Sequence, residues 1–249
     1  LQSTNRLTTS LWQWTKWAVP KIGAGEALPC LALLVLGFIS SPLMPWYLVR
    51  LRDEASEPLG LLALITASAM LWRERKNLSL RLTPLLVGNA VILTLRFFGL
   101  ASFPMILGFL VAATLAFSLR PFDSKPGLVA LTLLSLPLME SLDFFGGYPL
   151  RLVAAELAQS LLNLLGMEVM RAGSLLRDGM NLIGVDPPCA GIDMLWTGWF
   201  VAAFLAARVK LSTARTLILL GGSTLIVVLG NSLRAVILFF PESGRVHWP

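Results

Sequence analysis

The chain has 249 residues, of which 56% are hydrophobic and only 14% charged, with a mean hydropathy of +0.75. Soluble domains devote about a quarter of their residues to charge, so this composition excludes an ordinary soluble domain and indicates a polytopic membrane protein. The formal charge of +6 does not indicate a nucleic-acid partner, because the basic residues fall in short clusters between apolar runs, as loop charges of membrane proteins do, and no nucleic-acid motif accompanies them.

In chain order, residues 1–26 interleave Trp12, Trp14 and Trp17 with Lys16 and Lys21, the pattern of a segment lying at a membrane surface. Apolar runs then predict spans over 28–49, 59–72, 84–100, 103–119 and 127–142. The run 59–72 is short of the roughly 20 residues that a span needs. From 144 to 188 the chain is more polar. Within that stretch, 149–167 places Leu150, Val153, Leu157, Leu161 and Leu164 at helical spacing, with Arg151, Glu156, Gln159 and Asn163 between them, which predicts an amphipathic helix along the membrane surface. Residues 169–185, punctuated by Gly173, Gly179 and Gly184, predict a hairpin or extended loop. Runs at 189–207 and 214–240 complete seven spans, the last interrupted at Gly221-Gly222. The expected fold class is therefore all-α: a polytopic helical bundle of about seven spans, with an amphipathic surface helix and a small extended loop region on the outer side.

Across these seven spans, twelve Lys and Arg fall on the side of the N-terminus and six on the other, with Arg96 and Arg234 left inside apolar runs. The side richer in positive charge is expected to be cytoplasmic. This places the region 144–188, Cys189 and His247 on the outer face.

The chemistry-bearing stretch is Asp186-Pro187-Pro188-Cys189-Ala190-Gly191-Ile192-Asp193. The double proline ends what precedes it and predicts a helix start at or near Cys189. There the unpaired N–H groups and the helix dipole favour the thiolate. A cysteine in an apolar helix is most often packing material, so the reading depends on its companions. Arg234 can reach the outer surface by extending its side chain, and Asn231, three residues before it, argues that this face looks into the bundle. Arg96 has no such companions and is the weaker candidate. His247, the only histidine, supplies a base on the same side, and the Arg234 guanidinium a permanent cation for an oxyanion. Asp193, one turn below Cys189, would raise the thiol pKa unless it pairs with Arg234 or orients His247, and a cation partner is expected for it. One histidine and one outer cysteine cannot furnish a metal site, and no cofactor is called for. A disulfide between Cys30 and Cys189 is excluded, because the predicted spans hold them a membrane thickness apart.

The residues Tyr148-Pro149-Leu150-Arg151, Leu164-Leu165-Gly166, Cys189-Ala190-Gly191 and Asn231-Ser232-Leu233-Arg234 resemble the exosortase/archaeosortase membrane transpeptidases over roughly 144–249. The resemblance divides the chain into a cytoplasmic or interfacial segment (1–26), N-terminal membrane helices (27–143) and an exosortase-like catalytic region (144–249). It implies Cys189, Arg234 and His247 as catalytic residues, with Asn231 and Asp193 supporting them. It also implies a site on the periplasmic face of a bacterial cytoplasmic membrane. The substrates implied are exported proteins ending in a short Pro-Glu-Pro-like motif, a transmembrane helix and a basic tail, cleaved through a thioacyl intermediate and passed to an acceptor nucleophile that the sequence does not identify. In that family a final span usually follows the histidine, which implies either an eighth span beyond Pro249 or that His247 is not the equivalent histidine.

Two other classes fit the composition. A transporter or channel subunit would spread charges through the bilayer depth, whereas Asp193, Arg96 and Arg234 are all expected in the outer half. A non-catalytic scaffold for envelope assembly would hold Cys189 as inert packing.

Overall fold

The computed structural model describes residues 24–52, 59–77, 79–122, 125–179, 181–184 and 191–244. Its elements are α1 (Ala24–Ile39), α2 (Leu43–Arg52), α3 (Leu59–Arg73), α4 (Leu82–Phe97), α5 (Pro104–Ser118), α6 (Pro126–Leu134), α7 (Met139–Leu142), a π-helical turn (Asp143–Gly147), α8 (Tyr148–Leu164), β1 (Val169–Ala172), β2 (Leu175–Asp178), β3 (Asn181–Gly184), α9 (Ile192–Val209) and α10 (Thr213–Glu242).

Every predicted apolar run forms helix, but two of them are broken. Leu28–Ile39 and Leu43–Arg50 meet at 54°, and Pro126–Leu134 meets Met139–Leu164 at 91°. The causes are Pro42 and Pro137, each of which lacks an N–H and disfavours helix in the residue before it. The predicted fifth span, 127–142, is thus a nine-residue helix followed by a turn into a second, longer helical arm. Each break frees carbonyls that an apolar environment cannot solvate. The Arg96 guanidinium donates to the Ile39 carbonyl at 2.5 Å, and the Tyr47 hydroxyl donates to the Ser135 carbonyl at 3.0 Å. Arg96 therefore ties α4 to the end of α1. Replacing it by leucine is expected to cost about 1–3 kcal/mol, read as a lower melting temperature in detergent, without changing turnover per folded molecule.

Among the described residues, α9 and α10 are long and apolar enough to cross a membrane, and the total reaches four if each bent pair counts as one span. The apolar helices α3, α4 and α5 have 15 or 16 residues, about 22–24 Å of helix against a hydrocarbon core of about 30 Å. The predicted seven spans correspond in position to these helices. Gly221 and Gly222 do not interrupt α10, which is continuous over 30 residues.

The core falls into three clusters. Ala32, Leu36, Leu85, Ile92 and Leu107 join α1, α4 and α5. Ala63, Ala67, Leu128, Leu131, Trp196 and Ala203 join α3, α6 and α9. Ala158, Leu162, Val169, Leu176, Ile183, Val236 and Phe239 join α8, the strands and α10. In the second cluster, α6 lies so close to α9 that a Cβ on Gly127 would fall 2.3 Å from the Ala207 nitrogen and 2.6 Å from the Ala203 oxygen. Small residues allow this close approach of helices, which dispersion then stabilises.

The strands form one antiparallel sheet in the order β1-β2-β3, paired Val169↔Asp178 and Leu175↔Gly184 at their ends. Val169, Leu176 and Ile183 are buried against α8 and α10. Helix α8 packs through small residues rather than through its large apolar ones. Ala154, Ala155, Ala158 and Leu162 are buried, whereas Val153, Leu161 and Leu164 are exposed. Alanines let α10 approach the α8 backbone closely, and the bulky residues turn outward. The polar residues serve the sheet: the Val169 N–H donates to Asn163 Oδ1 and the Arg171 N–H to Gln159 Oε1, both at 3.0 Å, and Arg171 pairs with Glu156 at 2.6 Å. Donors at the sheet edge are thereby satisfied by the neighbouring helix.

Candidate functional site

The packing of α9 antiparallel to α10 brings the first turn of one to the last turns of the other. Helix α9 does not start at Cys189. It starts at Ile192, with Gly191 as its N-cap at φ 75° and ψ 18°. This left-handed conformation is available to glycine at no steric cost, and it sets the helix start three residues past Cys189. A Cβ on Gly191 would also lie 2.8 Å from Asn231 Cγ and 3.1 Å from both Nδ2 and Oδ1. Gly191 is thus fixed twice, by its own backbone and by a buried Asn231 that is 3% exposed and pressed against it. The two short motifs, 42 residues apart at their first members, meet at this contact.

The third motif joins them. Leu150, on the first turn of α8, lines one narrow gap together with Gly191, Leu195 and Asn231. Beside it, the Arg151 guanidinium stands over the Tyr148 ring at 5.9 Å and donates from Nε to the Gly147 carbonyl at 3.3 Å. Ser232, also buried, donates to the Val228 carbonyl at 2.8 Å. Arg234 is exposed at the surface of the bundle, eight residues before the helix ends at Glu242. Asn231 faces inward and Arg234 outward, so the predicted shared inward face is correct for only one of them.

Asp193 is the second residue of α9 and is exposed. No ion pair joins it to Arg234 among the described residues; the other partner expected for it, His247, lies outside them. An exposed carboxylate in the first turn is favoured by the helix dipole and needs no buried counter-ion. Asp193 stands at one end of a groove of about 550 Å³ between α9 and α10. The groove runs down the two helices along Met194, Val201, Leu205, Leu219 and Ile226, with Gly198, Ala202 and Ser223 as its small residues. Half-way along the same helix pair, the Trp199 indole donates to the Thr224 hydroxyl at 2.8 Å.

Cys189 and His247 lie outside the described residues. Cys30 is a free, exposed thiol on α1. Sequence reasoning missed the structural duties of Gly191, Leu150 and Tyr47. For Gly191 a signal was present, since a glycine directly before a helical apolar run suggests a cap. For Leu150 and Tyr47 it was not, since their contacts are long-range.

A family model described as transmembrane exosortase matches residues 51–244. The chain belongs to the transmembrane exosortase family, and with its apolar helices it is a multi-pass membrane protein. No curated protein and no solved structure matches it.

Proposed function

We propose that this protein is a membrane-embedded cysteine protease or transpeptidase that cleaves C-terminal sorting signals of exported proteins at the outer face of a bacterial cytoplasmic membrane. The observation that carries this reading is the seating of Gly191 against Asn231. Cys189 is two residues before Gly191, a separation of at most about 7 Å of chain, and Arg234 is one turn beyond Asn231 on α10. This contact is what supports placing Cys189 and Arg234 in one site.

In this reading the Cys189 thiolate attacks the carbonyl carbon of the scissile peptide. The oxyanion that develops is stabilised by Arg234, and collapse expels the amine of the transmembrane segment, which takes a proton from His247. The thioester is then attacked by water or by an acceptor nucleophile, whose proton passes to His247 and restores the thiolate. Asn231 holds the Gly191 turn, and Asp193 marks the entrance to the groove between α9 and α10. That groove suits the substrate's own transmembrane helix, because Gly198, Ala202 and Ser223 permit close helix approach.

Arg234→Ala is expected to slow precursor cleavage by about 10²–10³-fold. Arg234→Lys, which keeps charge but loses the planar fork, should fall between that variant and wild type. Equal rates for all three would remove Arg234 from the chemistry. The reading as a whole is tested in intact cells carrying Cys30→Ser, with a membrane-impermeant maleimide. An activated thiol on the outer face labels rapidly near neutral pH, whereas a Cys189 that labels only after the membrane is permeabilised sinks the proposed orientation.

A further inference from the structure

At the end of the bundle opposite Gly191 and Asn231, a cavity of about 500 Å³ opens between α3, α9 and the start of α6. Its walls are apolar, with Ile65, Ala69 and Met70 from α3 and Phe204 and Ala207 from α9. Its rim is basic. Arg73 ends α3, Arg208 lies in the last turn of α9, Lys210 caps α9, and Lys125 caps the start of α6. One carboxylate lines the cavity, Glu74, and it is engaged by Lys125 at 2.5 Å. Among the described residues no carboxylate pairs with Arg73, Arg208 or Lys210. Three cations from two helix ends thus face one cavity with no described carboxylate paired to them.

Lys210 adds an independent observation. It is the single non-glycine residue with positive φ among the described residues, at 58°, and it occupies the position after a helix where glycine is the usual choice. A lysine held in a strained backbone state that glycine would fill without strain points to a use for its side chain. A merely solvated charge at a helix end requires neither the strain nor a cavity.

We propose that this cavity binds the phosphate headgroup of an anionic phospholipid, with Arg73, Arg208 and Lys210 around the phosphate oxygens and an acyl chain against Ile65, Ala69 and Phe204. Phosphate chemistry fits the rim, because guanidinium and ammonium groups donate to phosphate oxygens in charge-assisted bonds. The apolar walls distinguish a lipid from a soluble anion, since a free phosphate gains nothing from them. Basic pockets between helices at a membrane boundary are suited to such headgroups.

The test uses the full chain purified in a neutral detergent. Binding of phosphatidylglycerol is followed by native mass spectrometry and by the shift in melting temperature, with phosphatidylcholine and inorganic phosphate as separate arms. Wild type should bind phosphatidylglycerol in preference to phosphatidylcholine, and Arg73→Gln/Arg208→Gln/Lys210→Gln should bind it about a hundred-fold more weakly. Lys210→Gly guards against misfolding. It relieves the left-handed strain, so its lipid-free melting temperature should equal or exceed that of wild type, while its affinity for phosphatidylglycerol falls several-fold. Undiminished phosphatidylglycerol binding by Lys210→Gly and by the triple variant overturns the proposal, as does equal binding of the two lipids by wild type. Inorganic phosphate reproducing the full thermal shift would assign the cations to a soluble anion and overturn the lipid assignment.

Discussion

Replacing Cys189 by alanine is expected to lower the rate of precursor cleavage by at least about a thousand-fold, with the protein still inserted at wild-type abundance. The expectation follows from role rather than packing. If the thiolate is the nucleophile, every turnover passes through it, and neither Arg234 nor His247 can attack the peptide carbonyl in its place. Serine is the sharper substitution, because it preserves size and hydrogen bonding but presents a far weaker nucleophile at neutral pH. Its rate should be close to that of alanine. Quantitative immunoblotting of a tagged substrate, resolving precursor from product, reads both variants. A scaffold whose cysteine only packs would tolerate serine almost fully.

Gly191→Ala is expected to be nearly as damaging by a different route. The added Cβ meets two costs together: a left-handed backbone that an L-residue adopts at about 1–2 kcal/mol, and an approach of 2.8 Å to Asn231 Cγ, overpacking of a kind that costs about 1–3 kcal/mol. Their sum, roughly 2–5 kcal/mol, is a large part of the net stability of a typical protein. Melting temperature should fall, and cleavage should fall further, because the backbone that must move is two residues from Cys189. Asn231→Ala in the same chain removes the atoms that collide and leaves the backbone strain. The double variant should therefore recover part of the melting temperature, a coupling that additive, independent sites would not give. A Gly191→Ala variant with wild-type stability and rate would show that this contact does not hold the site.

Much of the membrane helix pattern was legible from composition because apolar length is a local property. The runs 59–72, 103–119 and 214–240 reappear as Leu59–Arg73, Pro104–Ser118 and Thr213–Glu242, each within two residues at either end. What was not legible depends on neighbours. Pro42 and Pro137 lay inside runs read as unbroken spans, and whether a proline merely kinks a helix or turns it by 91° depends on whether the freed carbonyls find donors, here Arg96 and Tyr47 from elsewhere in the chain. The hydrophobic period of α8 located the helix but not the alanine face that packs against α10. Where one side of a helix meets lipid, leucine is as comfortable outside as inside, and alanine decides which side another helix can approach.

At the candidate site, Cys-Ala-Gly and Asn-x-x-Arg could be picked out from residue types alone, since a thiol after a double proline and an arginine within an apolar run are both unusual. Their contact through Gly191 and Asn231 could not, because it is tertiary. Nor could the separation of duties between Asn231, buried, and Arg234, exposed, since residues three apart lie only about 60° apart on a helix and tertiary packing decides where between them the buried face ends.

The central claim is that Cys189 becomes acylated by the substrate, and it is tested most directly by intact-protein mass spectrometry. The Cys30→Ser protein in detergent is mixed with a substrate ending in a Pro-Glu-Pro motif, an apolar helix and a basic tail, and is quenched in acid at short times. The account predicts an adduct equal in mass to the substrate portion before the cut. It should map to Cys189 and be released by neutral hydroxylamine, as a thioester is. Cleavage that proceeds with no such adduct, and that persists in Cys189→Ala, would contradict the account.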